Sequence, residues 1–135
     1  MTRYVLDTGI AGDYVARRRG VYDRARQEVA RGNVIGVAVP GLAELLYGIE
    51  WSGTRDRNMQ KLMGTLSDWR LWPFDRAAAF EYGRLTATLR RTGRPMQQAD
   101  IMIAAITLTL GNCVVVTGDT DFAAVPGLAV EDWRV

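Results

Sequence analysis

Short apolar runs alternate along this chain with longer stretches in which apolar residues recur at helical spacing. The β-branched and aromatic runs predict strands at RYVL near the start, over 34–39, within 69–75, from Cys113 onward, and as a short last strand over 128–130. The helical spacing predicts helices over 10–15, 21–30, after Pro40, 55–68, 77–91 and 97–110. Strands separated by helices indicate an α/β sandwich around a mainly parallel sheet of four to five strands. At 135 residues the chain is expected to form a single domain spanning 1–135.

Acidic residues stand where several of these predicted elements begin or end. Asp7 follows the first strand and Asp119 with Asp121 follow the late strand, while Asp100 opens an apolar helix and Glu44 lies off the apolar stripe of its own. Parallel sheets bring strand ends and following helix starts to one edge, so we expect these acids to converge. Each one alone also has an ordinary explanation as a cap, a turn residue or a solvated helix residue.

The composition restricts the chemistry that such a site can perform. Histidine is absent and Cys113 is the single cysteine, which excludes histidine-based triads and thiol-based metal sites. The simplest interpretation of Cys113 is a small buried apolar residue. Carboxylates alone suit hard cations such as Mg²⁺ or Mn²⁺. The net charge is +2, from 17 basic and 15 acidic residues, and without the five acids above 17 basic residues face ten acidic ones, a balance of +7. An acidic pocket on a basic body suits a polyanionic substrate that is cut at a metal centre.

Four segments in order along the chain resemble those of the PIN-domain ribonucleases, and in particular the VapC-type toxins of toxin–antitoxin pairs: LDTGI, AELLYGIE, RTGRPMQQADIMIAA and VVVTGDTDFAAVPGL. The resemblance implies a PIN-like three-layer α/β/α sandwich and a Mg²⁺-dependent endoribonuclease, with Mn²⁺ as a substitute. By the same resemblance, Asp7, Glu44, Asp100 and Asp119 are the expected catalytic and metal-holding residues, with Asp121 as a fifth candidate ligand. It further implies RNA as substrate, a cognate protein antitoxin and a homodimer.

The sequence departs from the family pattern at two turns. Gly9 stands where the family often has Asn, and Gly118-Asp119-Thr120-Asp121 replaces the Asn-Asn of many members. Asp119 is the favoured ligand of that turn because it is closer to the strand end. Further candidates for contacts to the acids or to RNA are two hydroxyls and one loop arginine, for which turn capping and simple solvation are the alternatives: Thr8, Thr117 and Arg94.

Other functions remain open at the level of sequence. A non-catalytic RNA-binding module would use the arginines without cutting, and a Mg²⁺-dependent phosphoacceptor or phosphatase would also place an acid after strand one. The latter is disfavoured because no lysine follows Lys61 and because Gly9 occupies the second position of an Asp-x-Asp pattern. No stretch is long and apolar enough for a membrane span or a signal peptide, so a cytoplasmic location is expected. Four aromatic residues are candidate anchors for a partner, with core packing as the alternative: Tyr47, Trp51, Trp69 and Trp72.

Overall fold

The computed structural model describes residues 1–135 and contains a five-stranded sheet in which every strand pair is parallel. The strands, in chain order, are β1 (Arg3–Leu6), β2 (Val34–Ala38), β3 (Arg70–Trp72), β4 (Cys113–Val116) and β5 (Ala129–Glu131), and their spatial order is β3-β2-β1-β4-β5. Six α-helices accompany them: α1 (Thr8–Val15), α2 (Val21–Ala30), α3 (Val39–Trp51), α4 (Arg55–Thr65), α5 (Arg76–Arg91) and α6 (Gln98–Leu110). The predicted parallel α/β sheet is confirmed, with β3 at one edge.

Helices cover both faces of the sheet, which makes the three layers of the predicted sandwich. Alternate residues of β1 point to opposite faces, so that Tyr4 and Leu6 join one apolar cluster and Val5 joins the other. The first cluster packs beneath α1, α2, α3 and α4, and the second beneath α5 and α6. This double burial explains why β4 reads as a continuous apolar run rather than as an alternating one.

Some element boundaries differ from those predicted, for local reasons. Helix α1 begins at Thr8 rather than Ile10, because the Asp7 side chain caps it and accepts a hydrogen bond from the Thr8 N–H at 2.6 Å. Helix α4 ends at Thr65 and continues as a 3-10 helix over Leu66–Asp68. A second 3-10 helix, over Thr120–Ala124, was not predicted.

One close approach depends on glycine. A Cβ on Gly36 in β2 would collide with the backbone carbonyl of Arg70 in β3, so the edge strand sits against β2 only because residue 36 has no side chain. No helix of the chain has both the length and the apolar character that crossing a bilayer requires.

Candidate active site

Asp7 lies where the ends of two central strands meet. Its backbone N–H donates to the Val116 carbonyl at 2.9 Å, which joins the ends of β1 and β4. Its Oδ1 accepts the Thr8 N–H, and its Oδ2 accepts a hydrogen bond from the Thr117 hydroxyl at 2.6 Å. Because both carboxylate oxygens are engaged, the direction of the Asp7 side chain is fixed.

Hydroxyl groups connect Asp7 and its neighbours to the other predicted acids. The Thr8 hydroxyl donates to Glu44 Oε1 at 2.9 Å, which links the start of α1 to α3. Thr117 Oγ1, besides donating to Asp7, accepts the Asp119 N–H at 2.9 Å, so this threonine both caps the turn and orients the acid. Asp119 Oδ1 in turn accepts the Asp121 N–H at 2.9 Å.

Asp100 lies in the first turn of α6, and the charges of all four other acids affect its pKa. Its pKa is raised to about 6, first by burial and then by the carboxylates of four neighbours, Asp7, Glu44, Asp119 and Asp121. The pKa of Asp7 is also raised, first by burial and then by Asp119 and Glu44, although its two hydrogen bonds act the other way. Five carboxylates from four separate segments therefore share one local electrostatic environment.

The donor set of this environment fits a hard divalent cation. It consists of carboxylate oxygens without histidine or thiolate, which is the set that Mg²⁺ and Mn²⁺ prefer. As these side chains stand, no three of them lie close enough together to hold a metal ion. Burial and four neighbouring carboxylates both raise the pKa of Asp100, and a bound cation would offset both effects.

A cavity of about 290 Å³ opens beside Asp7 and Asp119 and contains residues that the sequence analysis missed. Two arginines and a buried aspartate line it together with the acids: Asp13, Arg19 and Arg134. No sequence signal identified Arg19 and Arg134, because they lie more than a hundred positions apart. Arg94, by contrast, is exposed in the loop before α6, and no hydrogen bond or ion pair links its side chain to the acids, so its role stays a prediction.

An apolar groove of about 480 Å³ borders the site next to Glu44. Tyr47 lines the groove and is 70% exposed, and Trp51, one turn further along α3, is 81% exposed. Trp69 and Trp72 are both only 6% exposed and belong to the two apolar clusters on opposite faces of the sheet. The core-packing alternative therefore holds for these two, and only Tyr47 and Trp51 remain as candidate anchors.

Comparison with known proteins extends these observations. The family model described as PIN domain matches residues 4–128. A tRNA(fMet)-specific endonuclease VapC of Shigella flexneri is 33% identical over 133 residues, which is 98% of this chain and 99% of the relative. The VapBC2 complex of Rickettsia felis, bound to a DNA fragment from its promoter, includes a chain with a TM-score of 0.91 and 28% identity, covering 98% of this chain and 100% of that one. DNA-bound VapBC of Salmonella typhimurium gives a TM-score of 0.88 and 30% identity, covering 98% and 99%.

Proposed function

The chain belongs to the PIN-domain family, in its VapC branch, and on that premise we propose that it is a metal-dependent endoribonuclease that acts as the toxin of a toxin–antitoxin pair. The observation that carries the proposal is the convergence of five carboxylates from four segments at the carboxyl edge of the sheet. Their acidity alone would repel RNA, whereas a bound divalent cation turns the same position into one that attracts phosphate. Its place of action would be the cytoplasm, where RNA is available.

The acids take distinct parts in this proposal. Asp7, Glu44, Asp100 and Asp119 would hold Mg²⁺, or Mn²⁺ in its place, and Asp121 is a fifth candidate. The cavity that contains both Asp7 and Asp119 supports Asp119 as the ligand of the late turn. Asp121 lies one hydrogen bond further out, since its N–H donates to Asp119.

Two threonines would keep the acids in place during turnover. The Thr117 hydroxyl donates to one oxygen of Asp7, and the Thr8 hydroxyl donates to one oxygen of Glu44. These hydrogen bonds fix the two carboxylates in one orientation and so fix the direction of their remaining lone pairs. A bound divalent cation supplies the Lewis acidity that phosphodiester hydrolysis requires. With no histidine in the chain, positioning of the attacking water falls to the carboxylates.

Initiator tRNA is the first substrate to assay, because the Shigella relative is named for tRNA(fMet). The proposed partner is a cognate antitoxin that occludes the acidic cleft, in line with the VapBC complexes of Rickettsia and Salmonella.

The decisive experiment is cleavage of total RNA and of initiator tRNA by purified, antitoxin-free protein with Mg²⁺, with Mn²⁺ and with chelator. We expect discrete fragments that require a divalent cation and that disappear in Asp7→Asn and Asp100→Asn. Asp23→Asn is the matched control, because Asp23 is an exposed acid in the first turn of α2, as Asp100 is in the first turn of α6. Tight RNA binding without product under any cation would instead favour a non-catalytic RNA-binding module, and release of phosphate from a monoester without RNA cleavage would favour a phosphatase.

We also propose a homodimer that uses the exposed aromatic residues of α3. Light scattering of the purified protein is expected to give twice the chain mass of 15.0 kDa, falling to one chain in the double variant Tyr47→Ser, Trp51→Ser. Met63→Ser on α4, at a residue that is 60% exposed, serves as the control and is expected to leave the dimer intact. A monomeric wild-type chain at high concentration contradicts the homodimer.

A further inference from the structure

The cavity beside the acidic site is lined by groups of both charges. Three acids and two arginines surround a space of about 290 Å³: Asp7, Asp13, Asp119, Arg19 and Arg134. These arginines come from distant parts of the chain, one from the loop after α1 and the other from the residue before the C-terminus. The function proposed above explains the acids but gives the two arginines no role.

Arg134 lies directly against the turn that carries Asp119. A Cβ on Gly118 would collide with the Arg134 guanidinium. Gly118 is one of the residues that depart from the family pattern, and the guanidinium occupies the space that its missing side chain leaves open. Asp132 fixes the guanidinium through two parallel contacts, at 3.0 Å to Nε and 2.9 Å to Nη2. Since an arginine has five N–H donors, this pairing leaves others free for a ligand.

Arg19 is tied to the same C-terminal segment. Its carbonyl accepts the Val135 N–H at 3.0 Å, and the tail is held further by Trp133, whose ring packs on Tyr4 at 5.0 Å between centroids. Arg19 has a φ of 58°, in the left-handed region that non-glycine residues rarely adopt. Its guanidinium has a single loose ion pair, 3.7 Å to Asp13, and remains 57% exposed. The loop and the tail thus present two incompletely paired guanidinium groups to one cavity.

We propose that Arg19 and Arg134 bind the phosphodiester backbone of RNA beside the scissile group and hold it against the acids of the cavity; this inference rests on the function proposed above. Guanidinium groups match phosphate oxygens in geometry and keep their charge at any working pH. RNA is favoured over a carboxylate of a protein partner because the acids in this cavity belong to the proposed cation site, where a phosphodiester is the group to be cut. A phosphate oxygen that shares the cation with those acids would not be repelled by them.

The matched comparison uses Arg19→Gln, Arg134→Gln and Arg18→Gln. Arg18 is adjacent to Arg19 and also pairs with the buried Asp13, at 3.4 Å, but its side chain lines a different hollow, beside Gly12, Leu45 and Lys61. All three variants lose one positive charge, so a difference between them reports position and not net charge. Thermal denaturation of each variant shows that it is folded.

Two measurements test the assignment. The affinity for fluorescein-labelled tRNA is measured by anisotropy in chelator over a series of salt concentrations, and KM and kcat are measured with Mn²⁺ on an RNA that the wild type cuts. For Arg19→Gln and for Arg134→Gln we expect Kd and KM to rise about tenfold with kcat nearly unchanged, the loss typical of one charge-assisted hydrogen bond. The slope of log affinity against log salt should fall by about 0.7 to 0.9 for each arginine, whereas Arg18→Gln should change neither quantity. Arg134→Lys keeps the charge and should recover the slope.

The inference is overturned if Arg19→Gln and Arg134→Gln match Arg18→Gln in affinity and in salt slope. It is also overturned if they bind tRNA normally but lose affinity for the antitoxin, which would make the arginines part of a protein interface. A wild type that cleaves no RNA, together with weaker tRNA binding by both variants, would refute the proposed nuclease and support the arginine assignment. The two ideas therefore fail separately.

Discussion

Replacing Asp100 by Asn should abolish RNA cleavage and yet stabilise the metal-free protein. The pKa of Asp100 is raised from 3.8 to about 6, first by burial and then by four neighbouring carboxylates. At 1.36 kcal/mol per pKa unit, this difference corresponds to about 3 kcal/mol of unfavourable free energy in the charged form. Because Asp100 is only half-buried, solvent screening reduces the expected gain from Asn to about 1 kcal/mol.

The sign of the pH dependence follows from the direction of that pKa. A raised pKa in the folded state means that folding favours the protonated form, so wild-type stability falls as pH rises from about 4 to about 6. The Asn variant has no such charge to bury. The two proteins should therefore have similar stability near pH 3.5, and the variant should be the more stable one above pH 6.

Thermal denaturation in chelator, followed by circular dichroism, measures this difference. For a domain of this size, 1 kcal/mol corresponds to a Tm increase of about 4 °C. Adding Mn²⁺ should raise the Tm of the wild type more than that of Asp100→Asn, because the variant lacks a ligand. Asp23→Asn, in the first turn of α2, controls for the helix dipole and should lower stability slightly. A variant at position 100 that is less stable than wild type at pH 7 in chelator would refute the argument that burial and the neighbouring carboxylates make the charge of Asp100 unfavourable.

Three further substitutions test other parts of the structure. Thr117→Val removes the hydroxyl that donates to Asp7, so the initial rate of RNA cleavage should fall at least about tenfold. Thr107→Val is the control and should keep its activity, because the Thr107 hydroxyl donates only within its own helix. For the buried Glu28, burial acts to raise the pKa, but hydrogen bonds from arginine and asparagine outweigh it and the pKa lies below its ordinary value. Its carboxylate therefore stabilises the fold above about pH 4.5, and this stabilisation decreases as pH falls. In urea unfolding, Glu28→Gln should lower the free energy of unfolding by about 2 kcal/mol at pH 7 and by less at pH 3. Gly36→Ala should lower the free energy of unfolding by about 2 kcal/mol or more, because the new methyl group collides with a β3 carbonyl. Gly48→Ala, with open space around it on α3, should raise the free energy of unfolding by about 0.5 to 1 kcal/mol. The denaturant midpoints of the two variants distinguish these outcomes.

Most of the scaffold was predictable because its signals are local. A buried parallel strand is a short β-branched run, and a helix on a sheet has a periodic apolar stripe, so β4 and α3 were both recognisable from a few residues each. Asp7 directly follows β1 and Asp119 lies three residues after the end of β4, so the sequence could place both acids at the carboxyl edge of the sheet. The 3-10 helix at Thr120–Ala124 was not, because its short apolar content has no helical period.

Tertiary packing decides the exposure of a side chain, and local sequence patterns do not show it. Trp69 precedes β3 and Trp72 is its last residue; both were candidate anchors for a partner, with core packing as the alternative, and the structure buries both. They lie three positions apart, so in the extended segment they point to opposite faces, and helices cover both faces. Arg94 was a candidate for RNA contact because it is near α6 in sequence, and the structure leaves it exposed in its loop. Arg134 lines the same cavity as Asp7, although it is further from Asp7 in sequence than any other residue that lines that cavity.

The distribution of charge around the site connects cation and substrate energetically. The five carboxylates repel one another, which together with burial raises the pKa of Asp100, and they would repel RNA for the same reason. A divalent cation bound among Asp7, Asp100 and Asp119 would remove both repulsions at once, and the guanidinium groups of Arg19 and Arg134, which line the same cavity as Asp7 and Asp119, would attract phosphate. Each phosphate brought in adds negative ligands for the cation, and each cation bound lowers the cost of bringing in phosphate. Cation and RNA should therefore each increase the affinity of the other, by the same factor, as thermodynamic linkage requires.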